Sequence, residues 1–394
     1  MDSANLAVLR SIYRAQPVTR RELGRQLGLS PGRVSMLVGQ LLDRGLVREE
    51  VRQGGNPGRP AALLSVNPDA GRVVGVDVSN AYSRIVLSDL AGGILASVAQ
   101  PTEMVPQREA ILENLTALVV NVCREGGLAP GSLAAMGIGL QAIVDARGGA
   151  VLDWPTAPSW AAAWRGLDIS AELGRRLGIK VTIVEDSVRA MGISAHRSGP
   201  ARGSSCFLYV FLGSGIGSVL VVDGQPYRGA IGLAGELGHI TVTEEGPLCS
   251  CGNRGCLETI ASTSAILRRV GERLAEPHLV SALREPYARG MLTLWTLFEA
   301  ARAGDKLAFQ ILDETGAYVG RVIAIALNLL APDLVVLGGP LAQDGGIVLE
   351  AVQRQVRLRA LQHISRQTRI VCDDQGEWAG AQGAALLALD ALFV

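Results

Sequence analysis

Apolar residues recur every three to four positions through the first fifty residues, and this spacing predicts a run of short helices. A first helix is expected over 5–15, where the apolar positions with this spacing are Leu6, Leu9, Ile12 and Tyr13. Thr19, followed three positions later by Glu22, has the form of a capping box that begins a second helix. That helix is expected to end near Gly28, because glycine is the usual residue just beyond a helix.

A third helix is predicted over 30–45, where Ser30 is a good N-cap and Pro31 a good first residue. One face of this helix is apolar and comprises Val34, Leu37, Val38 and Leu41. The other face is small and polar, with Arg33 at its flank, and comprises Gly32, Ser35, Met36, Gly39 and Gln40. Such a face at a helix N-terminus suits entry into the major groove of DNA.

The segment 46–67 follows the third helix and contains two short β-patterned runs around a glycine-rich tip, which predicts a wing. Three helices and a wing resemble the winged helix-turn-helix of bacterial repressors. The tip Gly58-Arg59-Pro60 is similar to motifs that place an arginine in an A·T-rich minor groove. The alternative is a three-helix module that binds protein. The residues expected to contact DNA are Arg20, Arg21, Ser30, Arg33, Ser35, Met36, Gln40 and Arg59.

From residue 73 onward, strand-like runs alternate with helical patterns. Helices are predicted at 107–125 and 168–178, and strands at 134–140 and 180–186. The alternation starts again with a strand-rich run at 206–229 and includes a strand and turn at 332–339. This pattern predicts two α/β lobes in tandem with a cleft between them.

The overall composition places the chain among water-soluble proteins. Hydrophobic residues make up 48% of the 394 residues, and the 37 basic and 37 acidic side chains give zero net charge. No apolar run approaches the roughly 18 residues of a membrane span, and the N-terminus lacks a secretory pattern. We therefore expect a cytoplasmic protein that does not associate with a membrane. Zero net charge taken alone would argue against nucleic-acid binding.

The zero net charge hides an uneven distribution. Residues 1–72 contain eleven arginines and six acidic residues, a net charge of +5, so the rest of the chain carries −5. Because the only lysines are Lys180 and Lys306, the basic end is built from arginine. Arginine suits paired hydrogen bonds to phosphate and guanine. The alternative is an uneven solvated surface without a partner.

A cysteine cluster gives the strongest local signal. Cys249, Cys251 and Cys256 lie within eight residues, and His239 precedes them by ten residues. In a reducing compartment such a cluster favours metal binding over disulfides. Three thiolates and one imidazole form a closed tetrahedral set for a structural Zn²⁺. The alternative is three buried free cysteines. The remaining cysteines, in apolar contexts, are expected in the core: Cys123, Cys206 and Cys372.

Glu236-x-Gly-His239, together with the cysteine cluster closed by Glu258, resembles the ROK family of repressors and sugar kinases. The glycine loop 213–217, LGGP at 337–340 and the glycine-rich helix at 380–388 extend the resemblance over essentially the whole chain. It implies an α/β, two-lobed, actin-like (ribonuclease H-like) sugar-kinase fold preceded by an all-α winged helix-turn-helix domain. The implied domains are 1–70, then 71–190 with 380–394 packing back on it, and 191–379 with the zinc loop.

Two departures from the family's kinases predict that sugar kinase activity is absent. The phosphate loop Asp-x-Gly-Gly-Thr is replaced after Asp77 by Val78-Ser79-Asn80-Ala81, so the bare glycine backbone is missing. The Glu-Asn-Asp segment reads Glu185-Asp186-Ser187, so a serine stands where the catalytic base is expected. A one-residue register shift could make Asp186 the base, but the preceding strand 181–185 fixes the register, and such a shift would turn the carboxylate to the other side of the chain.

The resemblance also implies an effector site. Glu236 and Glu258 take the positions whose carboxylates contact the ring hydroxyls of a sugar, and His239 presents its second ring nitrogen to the sugar or to a neighbouring side chain. Asp186 and Thr156 replace two sugar-contacting asparagines, which leaves the identity of the sugar open. The alternative for the two glutamates is support of the zinc loop.

These inferences lead to one hypothesis and three rivals. The hypothesis is a sugar-responsive transcriptional regulator, a repressor of carbohydrate-uptake or catabolic genes, which binds double-stranded operator DNA as a homodimer or homotetramer. The rivals are an active sugar kinase with a vestigial DNA-binding arm, a repressor signalled by a protein partner docking near the zinc loop, and an activator.

Overall fold

The computed structural model describes residues 3–51, 62–102, 107–145, 149–154, 164–344 and 346–393. Arg59 and Thr156, two residues singled out in the sequence, lie outside these ranges. The three predicted N-terminal helices are present as α1 (Ser3–Ala15), α2 (Arg20–Leu27) and α3 (Pro31–Asp43).

The predicted helix caps are confirmed. The side chains and backbones of Thr19 and Glu22 exchange both hydrogen bonds of a capping box. Gly28 ends α2 in the left-handed conformation, at φ 64°, and the Ser30 side chain accepts a hydrogen bond from the Arg33 amide. The apolar stripe predicted for α3 is buried as expected. In α1 the prediction was incomplete, because Val8 is fully buried while Leu6 is only half-buried.

The winged domain contains a small antiparallel sheet and is therefore not all-α. Its strands are β1 (Val18–Thr19), β2 (Val47–Val51) and β3 (Ala62–Val66), in the order β1-β3-β2. Strands β2 and β3 pair from Val47↔Val66 to Val51↔Ala62, as expected for the two sides of a wing. The two wing strands lie within the segment 46–67 where they were predicted, whereas the two-residue strand β1, just before α2, was not predicted.

The first lobe of the body is built on a five-stranded sheet. Its strands are β4 (Arg72–Val78), β5 (Tyr82–Asp89), β6 (Ile94–Pro101), β7 (Ala135–Leu140) and β10 (Thr182–Asp186), with a separate pair β8 (Ile143–Val144) and β9 (Val151–Asp153). The order in the sheet is β10-β7-β4-β5-β6. Strands β4, β5 and β6 are antiparallel, whereas β4, β7 and β10 are parallel. The helices are α4 (Arg108–Glu125), α5 (Ile169–Leu177) and α6 (Ser187–Arg197).

The second lobe repeats this plan with a five-stranded sheet in the order β13-β12-β11-β14-β15. The strands are β11 (Cys206–Leu212), β12 (Ile216–Val222), β13 (Gln225–Pro226), β14 (Leu334–Gly338) and β15 (Arg369–Cys372). The helices are α7 (Leu257–Ala261), α8 (Thr263–Leu274), α9 (Arg284–Ala288), α10 (Leu294–Arg302), α11 (Lys306–Leu330), α12 (Ile347–Arg359) and α13 (Gln362–Gln367). The two α/β lobes predicted from the alternating pattern are therefore present.

The C-terminal helix α14 (Ala379–Phe393) returns to the first lobe and lies between its sheet and α6. The backbones meet so closely that a Cβ on Gly137 of β7 would overlap the Ala384 carbonyl of α14. A Cβ on Gly383 of α14 would likewise overlap the Ala190 carbonyl of α6. Glycine is required at these contacts because any side chain would force the elements apart.

None of the helices in the described ranges combines the length and the apolarity that a membrane span requires.

Candidate functional site

The predicted zinc ligands come together in the second lobe. The ligand atoms of His239, Cys249, Cys251 and Cys256 all lie within 4.8 Å of one another. The Sγ atoms of Cys251 and Cys256 are 3.7 Å apart, and Cys249 Sγ lies 3.5 Å from His239 Nδ1. Around a tetrahedral zinc with Zn–S bonds of about 2.3 Å, neighbouring ligand atoms would be separated by about 3.5–3.8 Å. Two of the separations therefore match a tetrahedral site, and the four ligand atoms are close enough together to hold one ion.

Local backbone structure shapes this cluster. The amide of Cys249 donates to the Asn253 carbonyl at 2.7 Å, and Gly252 returns a hydrogen bond to the Cys249 carbonyl at 3.0 Å. Gly255 has a left-handed φ of 65°, and a Cβ there would overlap the Thr243 carbonyl. The hydrogen bond that the Asn253 amide donates lowers the pKa of the Cys251 thiol below its ordinary value, which favours the thiolate needed for metal binding.

A cleft of about 120 Å³ lies between the two sheets and next to this cluster. Four carboxyl groups line it, from Asp77, Asp186, Glu236 and Glu258. His239 also lines the cleft, and its Nε2 faces Glu236 Oε2 at 3.9 Å while its Nδ1 faces the cysteines. Glu258 lies in the first turn of α7, two residues after Cys256, and its Oε2 accepts a hydrogen bond from the Ile216 amide at 2.9 Å. The structure thus brings the four predicted effector residues to one cleft.

Asp186 lines the cleft, where strand β10 ends and the residue caps α6. Strand alternation no longer applies at a helix cap, where the carboxylate accepts a hydrogen bond from the Arg189 amide at 3.0 Å. Burial raises the pKa of Asp186 to about 7.

Ser187, which stands where the kinases have their catalytic base, is hydrogen-bonded to Asp77. Its hydroxyl donates a hydrogen bond of 2.6 Å to Asp77 Oδ1, and both side chains are buried. Burial raises the pKa of Asp77 to about 6, and the hydrogen bond from Ser187 opposes part of that rise. A neutral serine that already donates to a carboxylate is a poor acceptor for a proton from a sugar hydroxyl.

The turn after β4 also differs from a phosphate loop. Ser79 Oγ accepts hydrogen bonds from the amides of Ala81 and Tyr82, at 3.3 and 3.1 Å. The Ser79 amide donates to the Tyr82 carbonyl at 3.1 Å. A phosphate-binding loop needs several free backbone amides pointing at the ligand, whereas these amides are used within the turn.

Sequence reasoning missed Arg189, a buried arginine in the first turn of α6 that also lines the cleft. Its guanidinium donates to Glu185 Oε1 at 3.2 Å and to the Gly232 carbonyl at 2.5 Å. Arg228 pairs with the other oxygen of Glu185. An arginine among the small and apolar residues of a short helix was the available signal, because a buried charge needs a partner.

The predicted DNA-contacting residues within the described ranges lie on α2 and α3. Exposed side chains without a long-range partner among the hydrogen bonds described include Arg21, Arg33 and Met36, the last with 44% exposure. Ser30 and Ser35 are also exposed. Two residues are engaged elsewhere: Arg20 pairs with Glu49 of the wing, and Gln40 Oε1 accepts a hydrogen bond of 2.8 Å from Asn5.

Comparison with known protein families shows to which family the chain belongs. Residues 73–391 match the model described as the ROK family. This chain belongs to the ROK family. Residues 1–55 of this ROK protein match a second model, described as the MarR family, over α1, α2, α3 and the start of the wing.

The relatives of this ROK protein include named repressors. It is 29% identical over 383 residues to the DNA-binding transcriptional repressor Mlc of Escherichia coli (strain K12), covering 95% of this chain and 91% of Mlc. It is 25% identical over 383 residues to the xylose repressor of Bacillus subtilis (strain 168), covering 97% of this chain and 94% of that repressor. Both alignments include the winged domain and both lobes.

Solved structures agree with this fold. A ROK family transcriptional regulator described as a homologue of the E. coli Mlc protein superposes with a TM-score of 0.82 at 26% identity, covering 99% of this chain and 96% of that one. A ROK family glucokinase from Streptomyces griseus, in complex with glucose and AMPPNP, superposes with a TM-score of 0.71 at 27% identity. It covers 81% of this chain and is itself covered completely. This ROK protein therefore has a winged helix-turn-helix domain joined to an actin-like sugar-kinase fold.

Proposed function

We propose that this protein is a sugar-responsive transcriptional regulator that represses genes of carbohydrate uptake or catabolism. The observation that carries the proposal is the state of its kinase machinery. A buried hydrogen bond ties Ser187 to Asp77, and the turn after β4 uses its own amides, yet the carboxylate-lined cleft is retained. A cleft that keeps binding groups without reacting groups suits a sensor. The proposed domains are 1–70 for DNA, and 71–190 with 380–394 and 191–379 for the effector.

The winged domain supplies the DNA-binding part of the proposal. Arg33 and Met36 are exposed at the amino-terminal half of α3, where a recognition helix contacts bases, and Arg21 lies on the preceding helix. Arg20 is assigned a different role, since its pairing with Glu49 fixes the wing strand against α2. We expect double-stranded operator DNA as the partner and Arg59 at the wing tip as a minor-groove contact.

The charges of the cleft favour an unphosphorylated sugar. Asp77, Asp186, Glu236 and Glu258 supply acceptors for ring hydroxyls. Among the described residues, the lining contains one arginine, Arg189, which is already bonded to Glu185 and to a backbone carbonyl. A phosphate group would meet carboxylates and, within this described part of the lining, no free cation to neutralise it, so we expect a sugar to bind at least tenfold more tightly than its 6-phosphate.

The metal centre is proposed to hold a structural zinc ion. His239, Cys249, Cys251 and Cys256 would complete its coordination and leave no open position. Bound zinc supplies a cross-link within the loop, with no catalytic water. Because Cys256 caps α7 and Glu258 lies in its first turn, the cross-link would hold Glu258 at the cleft. Glu236, 3.9 Å from His239 Nε2, would be held from the other side.

We also propose self-association, as a homodimer or a homotetramer. Large apolar side chains are exposed together near the ends of α11, α12 and α13, at Leu329 (78%), Leu358 (72%) and Leu361 (63%). Leu361 lies close to α11, because its amide donates to Asn328 Oδ1 at 2.8 Å. An apolar patch of this kind favours a second copy of the chain. Sedimentation of the wild type against Leu329→Glu tests it, and two monomeric proteins would contradict it.

The test of the proposed function has three measurements. Thermal shift against glucose, xylose, N-acetylglucosamine and their phosphates identifies the effector. Gel shift on the region upstream of the protein's own gene, with and without that sugar, measures operator release. A coupled ATPase assay measures phosphorylation, and we expect none. Operator binding that no sugar alters would reject the effector role, and steady ATP-dependent phosphorylation would favour the kinase rival.

A further inference from the structure

Helix α6 begins in the effector cleft. Asp186 caps it, and Ser187, Val188 and Arg189 in its first turn line the cleft. Arg189 also reaches the segment 229–236, where it donates to the carbonyls of Gly232 and Ala234 at 2.5 and 3.5 Å. This segment leads directly to Glu236. A ligand that draws Glu236 inward would therefore act on the first turn of α6.

The other end of α6 lies against the DNA-binding domain. The guanidinium of Arg197, its last residue, lies 5.1 Å from the ring centroid of Tyr13 in α1. The same guanidinium donates to Asp390 Oδ1 of α14 at 2.8 Å. The ring of Phe393, the last residue of α14, lies 4.8 Å from the ring of Tyr13. The backbone carbonyl of Phe393 accepts a hydrogen bond of 2.8 Å from Arg10 Nε. We name these five residues the α1 joint.

Helix α6, which connects the cleft to the α1 joint, is short and tightly packed. Eleven helical residues span about 16 Å at a rise of ~1.5 Å per residue. Ala190 and Ile193 of α6 belong to one apolar cluster that includes α14 and the interior of the winged domain. The overlap that a Cβ on Gly383 would make with Ala190 shows that α6 and α14 pack backbone to backbone. Two helices packed this closely move together, because there is no free space between them into which one could shift alone.

We propose that α6, with the end of α14, couples the cleft to the DNA-binding domain, and that Arg197 and Asp390 are the positioning residues of this coupling. Sugar binding moves the segment 229–236 and Arg189, α6 shifts with α14, and the α1 joint changes the orientation of α1. This inference rests on the proposed function and adds a route other than the covalent link between β3 and β4. By linkage, a change at the joint must also alter the cleft.

The first experiment compares Arg197→Gln, Asp390→Asn and Arg197→Lys with a matched control. Arg354→Gln breaks another inter-helix Arg–Asp pair, at 2.7 Å from Asp313 and remote from the joint. The dissociation constant is measured for the upstream duplex, with and without whichever of glucose, xylose or N-acetylglucosamine raises the wild-type melting temperature. We expect the sugar to weaken wild-type and Arg354→Gln binding at least tenfold.

The ratio of interest is the dissociation constant for DNA with sugar divided by that without sugar. In Arg197→Gln and Asp390→Asn we expect this ratio to fall below threefold, while the sugar still raises the melting temperature and the sugar-free protein still binds DNA. Arg197→Lys should recover part of the ratio, since the charge over Tyr13 remains. A full tenfold ratio in Arg197→Gln would overturn the coupling. Failure of the wild type to bind DNA or any sugar would instead count against the proposed function.

The second experiment needs no ligand. Hydrogen exchange of the full chain is compared for the wild type, Arg197→Gln and Arg354→Gln. We expect Arg197→Gln to change exchange by at least threefold in α1 and also in the first turn of α6 and the segment 229–236. Arg354→Gln should leave these segments unchanged. Exchange altered only in α1 and the end of α14 would overturn the proposal whatever the effector.

Discussion

At the scale of single residues, the cleft combines carboxyl groups in different states. Asp186 and Asp77 have pKa values raised to about 7 and about 6, mainly by burial, although Ser187 donates to Asp77. Burial also raises the pKa of Glu236. Raised values mean that, between about pH 4 and pH 7, the folded protein holds protons that the unfolded chain has already released. The protonation of the cleft is therefore linked to folding.

We predict that Asp186→Asn stabilises the protein at pH 8 and has little effect at pH 4. A folded pKa of about 7, above the ordinary 3.8, makes the wild type lose stability as the pH rises between these values. Asparagine keeps the helix cap and carries no charge, so it avoids this loss. We expect a gain of about 1–3 kcal/mol at pH 8, a range reduced because the side chain faces an open cleft.

Urea unfolding at pH 4, 6 and 8 checks this, with Asp313→Asn as the control. Asp313 is a surface carboxylate paired with Arg354, so its removal should give no gain at pH 8. A stability difference for Asp186→Asn that does not change with pH would contradict the prediction.

At the scale of elements, the sequence predicted those features that depend on residues close together in the chain. The caps at Thr19, Gly28 and Ser30 and the two lobes followed from patterns within one element or between neighbours. The contacts of Arg189 did not, because its burial depends on Glu185 and on the carbonyl of Gly232, which no local pattern reports. The insertion of α14 between sheet and helix joins Gly383 to Ala190 and Ala384 to Gly137, 193 and 247 positions apart in the sequence, and a periodic pattern carries no information about such contacts.

We predict that Gly137→Ala destabilises the protein strongly, because its methyl group would overlap the backbone of α14 at Ala384. Neither backbone can yield without moving a strand or a buried helix, so we expect a cost of about 3 kcal/mol or more. Gly39→Ala is the control, since no neighbour lies within 4 Å of the added methyl on α3, and it should be neutral or stabilising. Thermal unfolding measures both, and equal melting temperatures would refute the close packing.

We predict that Cys251→Ser lowers bound zinc and loosens the loop that holds Glu258. The exposed Cys251 is one of four clustered ligand atoms, and hydroxyl binds zinc far more weakly than thiolate. We expect less than half the wild-type zinc by atomic absorption and a melting temperature lower by about 5 °C or more. Cys206→Ser, outside the cluster, should retain the metal. Unchanged zinc content in Cys251→Ser would remove this residue from the ligand set.

At the scale of the whole molecule, the winged domain packs against the first lobe and is not a separate domain on a flexible linker. Its interior residues, such as Val8 and Leu41, belong to the same apolar cluster as Ala190 of α6 and Leu389 of α14. Composition separates the two parts by a charge of +5 against −5, whereas packing joins them. A shared core implies that the domain unfolds with the lobe that it contacts.

We predict one unfolding transition for the winged domain and first lobe in the wild type. Phe393→Ala removes the ring that lies 4.8 Å from Tyr13 and is almost fully buried, so it should cost about 2–4 kcal/mol. The loss falls on the contact between the domains, and we expect the winged domain to unfold first, as a separate transition at lower temperature. Phe309→Ala, on an exposed position of α11, should leave a single transition.

Scanning calorimetry of the full chain, with hydrogen exchange to assign each transition, distinguishes these outcomes. A separate early transition already present in the wild type would mean that the shared cluster does not make the domains cooperative. A sugar that releases DNA would then have to act through the covalent link between β3 and β4 rather than through packed helices. A single wild-type transition that Phe393→Ala divides would show that a few aromatic contacts at the end of the chain hold the DNA-binding domain in place.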